Sequence, residues 1–194
     1  MDYTEGSEEM KRRRAKKMML WFGIISLSMS FLGFTSAYIV SSKREDWLDG
    51  FEIPQSFYYS LAVIVLSSIT MHLANRNVKR ENNGAGMIFL WITLILGALF
   101  VWLQLRGFDE IIGIFGYNPT GPTSNITYTY IFLIATVHIA HIAVALIALL
   151  VVIYNHFKQK YRNGNTLGIE LATTFWHFVD VLWIYLFFFF YFVR

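Results

Sequence analysis

The sequence predicts an all-α integral membrane protein built as a bundle of five transmembrane helices. Hydrophobic residues make up 56% of the 194 residues and charged residues only 15%, whereas about a quarter of a typical soluble domain is charged. Five long apolar segments stand out, and each reaches the ~20 residues that a helix needs to cross a bilayer. None shows the apolar–polar alternation of the ~10-residue strands in a transmembrane β-barrel. The predicted helices cover residues 18–41, 56–75, 87–105, 127–154 and 171–193.

Lysine and arginine residues predict how this bundle is oriented. Twelve of the 16 basic residues lie in the N-terminal tail and in the loops after the second and fourth predicted spans. Cytoplasmic segments carry such an excess of basic residues, so the N-terminus is expected in the cytoplasm and the C-terminus in the periplasm. We therefore divide the chain into a polar cytoplasmic tail, residues 1–17, and a single transmembrane domain, residues 18–194.

Composition and motifs exclude several classes of function. The chain has no cysteine, which excludes disulfides, thiolate metal sites and thiol catalysis. It contains no phosphate-binding loop, nucleophile motif or dinucleotide fingerprint. It shows no internal repeat of the kind found in transporters built from duplicated halves. The basic residues border the predicted spans, which indicates membrane orientation and no nucleic-acid partner.

Titratable side chains inside the last two spans form the candidate site. His138 and His141 are three residues apart in the fourth span, and His177 and Asp180 have the same spacing in the fifth. Residues three apart share one face of a helix, and at 1.5 Å per residue the two pairs lie at similar depths. Asp180 is the only carboxylate deep within a predicted span. A charged group at a helix centre costs ~2.5–3.5 kcal/mol, so these residues need an explanation.

Three interpretations of these four residues compete. Histidine and aspartate can bind zinc or iron, but helix bundles that hold two metals usually supply several glutamates. A proton relay uses similar residues, but it needs further titratable groups toward both surfaces. The interpretation favoured by the residues alone is a structural polar cluster between helices 4 and 5, because each group would otherwise be unpaired in hydrocarbon. In that case His177 and Asp180 are expected to pair with His138 or His141, with no metal between them.

Two of these segments resemble a known family. The stretch ELATTFWHFVDVLWIYLFFFFYF, residues 170–192, resembles the C-terminal helix of subunit III of haem–copper terminal oxidases, whose pattern is E-x-x-x-x-x-W-H-F-V-D-x-x-W. Glu170 and Trp176 are the family motif residues at the cytoplasmic end of this helix. TVHIAHIAVALIAL, residues 136–149, resembles the family's H-G-L-H-V helix. Five helices with the N-terminus inside match the short bacterial form of cytochrome c oxidase subunit III.

This resemblance implies a role without chemistry in the chain itself. Subunit III has no catalytic, cofactor-binding or metal-binding residues, and the haem and copper lie in partner subunits. The subunit packs on the catalytic subunit I, with subunit II in the same complex, and it binds phospholipid. It supports stable turnover and proton uptake by a proton-translocating oxidase that passes electrons from cytochrome c to oxygen. The expected location is a bacterial inner membrane, where a respiratory supercomplex is a further possible partner.

One departure and several alternatives accompany this resemblance. Many family members carry a glutamate midway along their first helix, where this chain has Leu27. A proton-related role for that carboxylate is therefore not carried over.

The equivalent subunit of a quinol oxidase or of a nitric oxide reductase complex is an alternative within the superfamily. A small stand-alone channel or transporter is the alternative from another class.

Overall fold

A computed structural model of the protein contains five long α-helices, each long and apolar enough to cross a membrane. The structure describes residues 8–48, 50, 52–113, 116, 121, 124–161 and 166–193. The all-α, five-span prediction is confirmed. In chain order the helices are α1 (Glu8–Ser41), α2 (Gln55–Lys79), α3 (Asn83–Gly113), α4 (Ile126–Phe157) and α5 (Leu167–Phe192).

The helices extend beyond the predicted spans, most clearly at α1 and α3. Helix α1 begins at Glu8, so the described part of the predicted tail continues the first span as helix. That segment is rich in glutamate, lysine and arginine, which favour helix, and Glu8 and Glu9 lie in the first turn, where the helix dipole favours acidic residues. Helix α3 continues to Gly113, through much of what the sequence predicts as the start of a loop. Residues 1–7 lie outside the described residues.

Local sequence explains several helix ends. Pro54 precedes α2 and Asn125 caps α4, where its side-chain oxygen accepts a hydrogen bond from the Thr127 N–H at 2.8 Å. Between α2 and α3 the chain turns within a few residues. Glu81 adopts a left-handed backbone conformation there, with φ of 59°, and the Asn82 N–H donates to the Asn77 carbonyl at 3.0 Å. This short turn makes α2 and α3 an antiparallel hairpin.

Helices α2 to α5 form the body of the bundle, and α1 packs at its edge against α4 and α5. Within the body, α2 packs on both α3 and α5, and α4 also packs on both α3 and α5. Most of α1 is exposed, and its buried residues are Ile24, Phe31, Thr35 and Tyr38. In the membrane the outer faces of these helices meet lipid or partner proteins, so apolar exposure is expected there.

Hydroxyl groups on α2 bind α3 at three levels of the bundle. The Thr70 and Thr93 hydroxyls are 2.9 Å apart, and the Gln104 side-chain amide donates to the Ser60 hydroxyl at 2.8 Å. At the N-terminal end of α2, the Ser56 hydroxyl donates to the Glu110 carboxylate. No water competes for such groups in the hydrocarbon core, so interhelical hydrogen bonds of this kind help to fix the register of two helices.

Gly97 lets the indole of Trp176 pack directly against α3. A Cβ atom at this position would lie 2.8 Å from the Trp176 ring and 2.9 Å from Leu146 Cδ2. Trp176 is only 1% exposed, and Leu146 is partly buried against the core. Helices α3, α4 and α5 therefore meet in close contact at Gly97.

We expect Gly97→Ala to lower the free energy of unfolding by about 1–3 kcal/mol, because the added methyl group overpacks a filled interior. Gly23→Ala is the matched control, since a Cβ at Gly23 on α1 meets no atom within 4 Å. Unfolding of the purified protein in mixed micelles with increasing SDS measures both variants. Equal stability of the two variants would contradict the close packing at Gly97.

Candidate functional site

The motif residues of α5 bind two consecutive serines of α2. The Trp176 indole N–H donates to the Ser67 hydroxyl at 3.0 Å, and His177 Nδ1 lies 2.7 Å from the Ser68 hydroxyl. Because neighbouring residues of one helix bind neighbouring residues of the other, these two bonds fix the register of α5 on α2. The His72 ring lies one turn away on α2, with its centroid 6.3 Å from that of His177.

Asp180 lies one turn beyond His177 and is buried in the same helix interface. It is 1% exposed, and the Ser68 hydroxyl is the polar group beside its carboxyl. Neither carboxyl oxygen makes a hydrogen bond to Ser68 or to another of the described residues. Ser68 is thus the polar side chain of α2 that stands beside both His177 and Asp180.

The histidines of α4 have surroundings of a different kind. His138 is fully buried, and its ring stacks on Trp183 of α5 at a centroid distance of 5.2 Å. The edges of Phe31 and Phe100 complete the enclosure at 6.3 and 5.9 Å. Neither ring nitrogen of His138 has a hydrogen-bond partner among the described residues. His138 is therefore held mainly by aromatic contacts from α1, α3 and α5.

His141, one turn along α4, bonds within its own helix. Its Nδ1 lies 2.7 Å from the Val137 carbonyl oxygen. Its ring packs edge-on against Phe31 of α1 at a centroid distance of 5.6 Å. His141 therefore joins α4 to α1 through ring packing, with its polar atom directed to its own backbone.

These contacts correct the predicted pairing of the four residues. His177 bonds to Ser68 of α2, and neither Asp180 nor His138 has a hydrogen-bond partner among the described residues. The expectation that His177 and Asp180 pair with His138 or His141 is therefore wrong. The physical reason is that α5 packs on both α2 and α4. Spacing of three residues puts two side chains on one face of a helix, but it does not specify which neighbour that face meets.

The same residues do not assemble a metal-binding group. Within the part of the chain that the structure describes, no three histidine, aspartate or glutamate side chains come together in a way that could hold a metal ion. His138 and His141 share a helix face, yet aromatic rings surround the first and a backbone carbonyl engages the second. The arrangement supports helix packing by polar and aromatic contacts. That the four residues act only in packing stays a prediction.

Glu170 joins three helices at the end of the bundle where α5 begins. Its carboxylate oxygens lie 2.9 Å from the Lys17 ammonium of α1 and 3.1 Å from the Lys79 ammonium of α2. The Thr166 hydroxyl, at the start of α5, donates to the same carboxylate at 3.0 Å. Each partly exposed ion pair contributes only about 0–1 kcal/mol, but together they join the N-terminal part of α1 to α2 and α5.

Several of these partners were not identified from the sequence. Ser67 and Ser68 are absent from the predicted site, although two adjacent hydroxyl residues inside an apolar span are a recognisable signal for interhelical bonding. Lys17 and Lys79 were used only to predict orientation. Their position on the same predicted side as Glu170 could have suggested the ion pairs.

Comparison with known proteins agrees with the resemblance of the α5 motif. The family model described as cytochrome c oxidase subunit III matches residues 5–194. The chain belongs to the cytochrome c oxidase subunit III family. The resemblance of the α4 and α5 sequences to this family is thereby confirmed, and the family is that of haem–copper oxidase subunit III.

Individual relatives cover the chain to different extents. Cytochrome c oxidase subunit 3 of Myxine glutinosa is 30% identical over a region that covers 72% of this chain and 50% of that protein. The protein of the same name from Thermostichus vulcanus is 27% identical over 84% of this chain and 80% of its own length. Cytochrome bo(3) ubiquinol oxidase subunit 3 of Buchnera aphidicola is 25% identical over 92% of this chain and 94% of its own length. The chain thus matches about half of one relative and nearly all of another.

We expect Ser67→Ala to destabilise the bundle by about 1–2 kcal/mol, because the buried Trp176 indole N–H loses its acceptor. Ser30→Ala is the control, since the exposed Ser30 hydroxyl bonds only to the Ser26 carbonyl of its own helix at 3.1 Å. SDS-induced unfolding measures both variants. A double-mutant cycle with Trp176→Phe isolates the bond, and a coupling free energy of zero would contradict the register that we describe.

Proposed function

We propose that this chain is the non-catalytic subunit III of a proton-translocating haem–copper terminal oxidase that passes electrons from cytochrome c to oxygen. The observation that supports this proposal most strongly is the family match over residues 5–194, which includes every described helix. The α5 motif also has a structural use in this chain, because Trp176 and His177 bind α2. In this proposal the chain packs on subunit I, alongside subunit II, and the haem and copper belong to those partners.

The environment of the histidines supports a subunit without its own chemistry. His138 is enclosed by three aromatic rings, and His177 is bound to Ser68. These contacts suit side chains that specify packing. We therefore assign the chain no catalytic residue and propose that it stabilises the catalytic subunit during turnover, aids proton uptake and binds phospholipid. Leu27 stands where many relatives have a glutamate, so this support of proton uptake does not involve a carboxylate at that position.

The equivalent subunit of a quinol oxidase is the second candidate. The observation that favours it is the match to the Buchnera aphidicola ubiquinol oxidase subunit, which covers 92% of this chain. The electron donor is a property of the partner subunits. A dinuclear copper domain in a copurifying subunit indicates cytochrome c, and a partner without that domain indicates quinol.

The proposed location is a bacterial inner membrane, with the N-terminus in the cytoplasm and the C-terminus in the periplasm. The distribution of basic residues supports this orientation. So do the ion pairs of Glu170 with Lys17 and Lys79, because they gather the basic end of α1, the end of α2 and the start of α5 at one end of the bundle. That end is the one expected to face the cytoplasm.

Purification of the tagged chain from its own membranes in mild detergent tests the proposed function. We expect it to copurify with a haem-containing subunit in a complex that consumes oxygen with reduced cytochrome c. When the complex lacks this chain, its initial rate of oxygen consumption should stay near normal and then decline during turnover. A chain that purifies without a haem-containing partner would exclude the oxidase assignment and favour the channel or transporter. Copurification of other respiratory complexes would indicate a supercomplex.

The absence of cysteine allows a direct test of orientation with single introduced cysteines. We expect Lys43→Cys to react with a membrane-impermeant maleimide in intact spheroplasts, and Arg80→Cys to react only after the membrane is opened. Both positions are exposed in the structure, so accessibility within the protein does not distinguish them. The reverse labelling pattern would invert the proposed topology.

A further inference from the structure

His72 is an exposed histidine on the part of α2 that lies inside the membrane. It stands seven positions before Lys79, the last residue of α2, which is about 10 Å from that end at 1.5 Å per residue. The 25 residues of α2 span about 38 Å, whereas the hydrocarbon core is about 30 Å thick. Each end of α2 therefore projects by about 4 Å, and His72 lies about 6 Å inside the hydrocarbon.

The direction of the side chain keeps His72 from reaching the nearer membrane surface. In a helix the Cα–Cβ bonds tilt toward the N-terminus, and the N-terminus of α2 is at the opposite end. The ring is therefore directed deeper into the membrane, and its centroid lies 6.3 Å from that of His177. Lipid chains at this depth offer no hydrogen-bond donor or acceptor. A polar partner for this ring has to come from protein.

Two side chains of this face have no polar partner among the described residues. Neither the His72 ring nor the guanidinium of Arg76, one turn along α2, makes a hydrogen bond or an ion pair within the described part of the chain, and both residues are exposed. Helix α2 contains no acidic residue, and the Glu170 carboxylate is bound by Lys17 and Lys79. The described part of the chain thus supplies no anion to this face.

The surroundings of His72 suit another helix. Ile69, one turn deeper on α2, and Val181, one turn from His177 on α5, are both exposed. Helix contacts in membranes combine apolar packing with a few interhelical hydrogen bonds from polar residues such as histidine. A carboxylate matches the polar groups of this face, because it accepts hydrogen bonds from an imidazole N–H and from a guanidinium.

We propose that this face of α2 docks a transmembrane helix of a partner subunit, which places an aspartate or glutamate against His72 and Arg76. The carboxylate accepts hydrogen bonds from both side chains, while apolar residues of the partner helix pack on Ile69 and Val181. A carboxylate inside the membrane is itself costly without a partner, so each subunit satisfies a polar group of the other. The inference rests on the proposed function, in which the chain packs on a catalytic subunit, and it adds the face and the chemistry of that contact.

Photo-cross-linking in the assembled complex tests the docking face. A photoreactive phenylalanine analogue replaces Ile69 in one form of the chain and Ile95 in another. Ile95 is the matched control, because it lies on the outer face of α3 and is 64% exposed, against 52% for Ile69. After illumination of native membranes and purification in mild detergent, we expect the Ile69 probe to join the chain to a partner subunit. The Ile95 probe should not form this product.

Mass spectrometry of the cross-linked peptide tests the chemistry of the partner. We expect a transmembrane segment with an aspartate or glutamate within one turn of the cross-linked residue. A segment without an acidic side chain, a cross-link to a second copy of this chain, or equal cross-linking by both probes would overturn the proposal. A haem-containing complex in which the Ile69 probe reaches no partner refutes the docking face alone. A chain that never copurifies with haem refutes the proposed function.

Charge reversal provides a second test that does not depend on the probe. Arg76→Glu should reduce copurification of the haem-containing subunit about tenfold, because a charge-assisted hydrogen bond is replaced by repulsion. Arginine in place of the mapped carboxylate of the partner should restore copurification. Arg106→Glu is the control, since Arg106 is exposed on α3 and lies over the Trp102 ring at 5.1 Å. Equal loss in both variants, unchanged copurification of Arg76→Glu, or failure of the restoring change would contradict the proposal.

Two substitutions of His72 separate hydrogen bonding from ring packing. His72→Phe keeps a ring beside His177 but removes the N–H donor, whereas His72→Gln keeps a donor without the ring. At equal amounts of chain in the membrane, we expect the phenylalanine variant to copurify about tenfold less haem-containing subunit. The glutamine variant should stay close to the wild type. Equal behaviour of the two variants would exclude a hydrogen bond from His72 to the partner.

Discussion

The fold depends on the need of polar groups in hydrocarbon to find partners inside the protein. Helix α2 meets this need in two directions. Ser60 and Thr70 bind α3, while Ser67 and Ser68 bind Trp176 and His177 of α5. Each bond is individually modest, but a slip of α2 along either neighbour would leave several buried groups unpaired. The hydroxyl groups of α2 therefore set the positions of α3 and α5, and α4 packs against both of these helices.

Helix α1 is attached to the bundle by a different set of contacts. It lies at the edge of the bundle. The Lys17–Glu170 ion pair ties its N-terminal part, and the hydrogen bond between Ser41 and Tyr130 at 2.8 Å ties its C-terminal end. Between these ties its seam with α5 is lined by apolar side chains, and a polar cleft lies above it. Helix α1 therefore packs less extensively on the bundle than α2 and α3 pack on each other.

Two histidines inside the bundle contact other helices through their rings and ring nitrogens. His138 lies among aromatic rings, and His177 closes the contact of α5 with α2. Both occupy positions where a rigid, flat ring fills space between helices. A subunit that supports a catalytic partner needs a fixed outer shape, and these rings contribute to it by joining helices that are distant in sequence. In this chain Trp176 and His177 of the family motif both contact α2.

The sequence by itself determined the number of helices, their approximate spans and the family, because long apolar segments and the α5 motif are local patterns. It also identified Asp180 as a carboxylate that needs a partner in hydrocarbon, and Glu170 and Trp176 as family motif residues. Only the tertiary structure decided which partners those are. Spacing along a helix specifies a face, but the neighbour of that face depends on how all five helices pack. For this reason His177 binds Ser68 of α2, contrary to the pairing expected with α4, and Glu170 meets Lys17 from the far end of the chain.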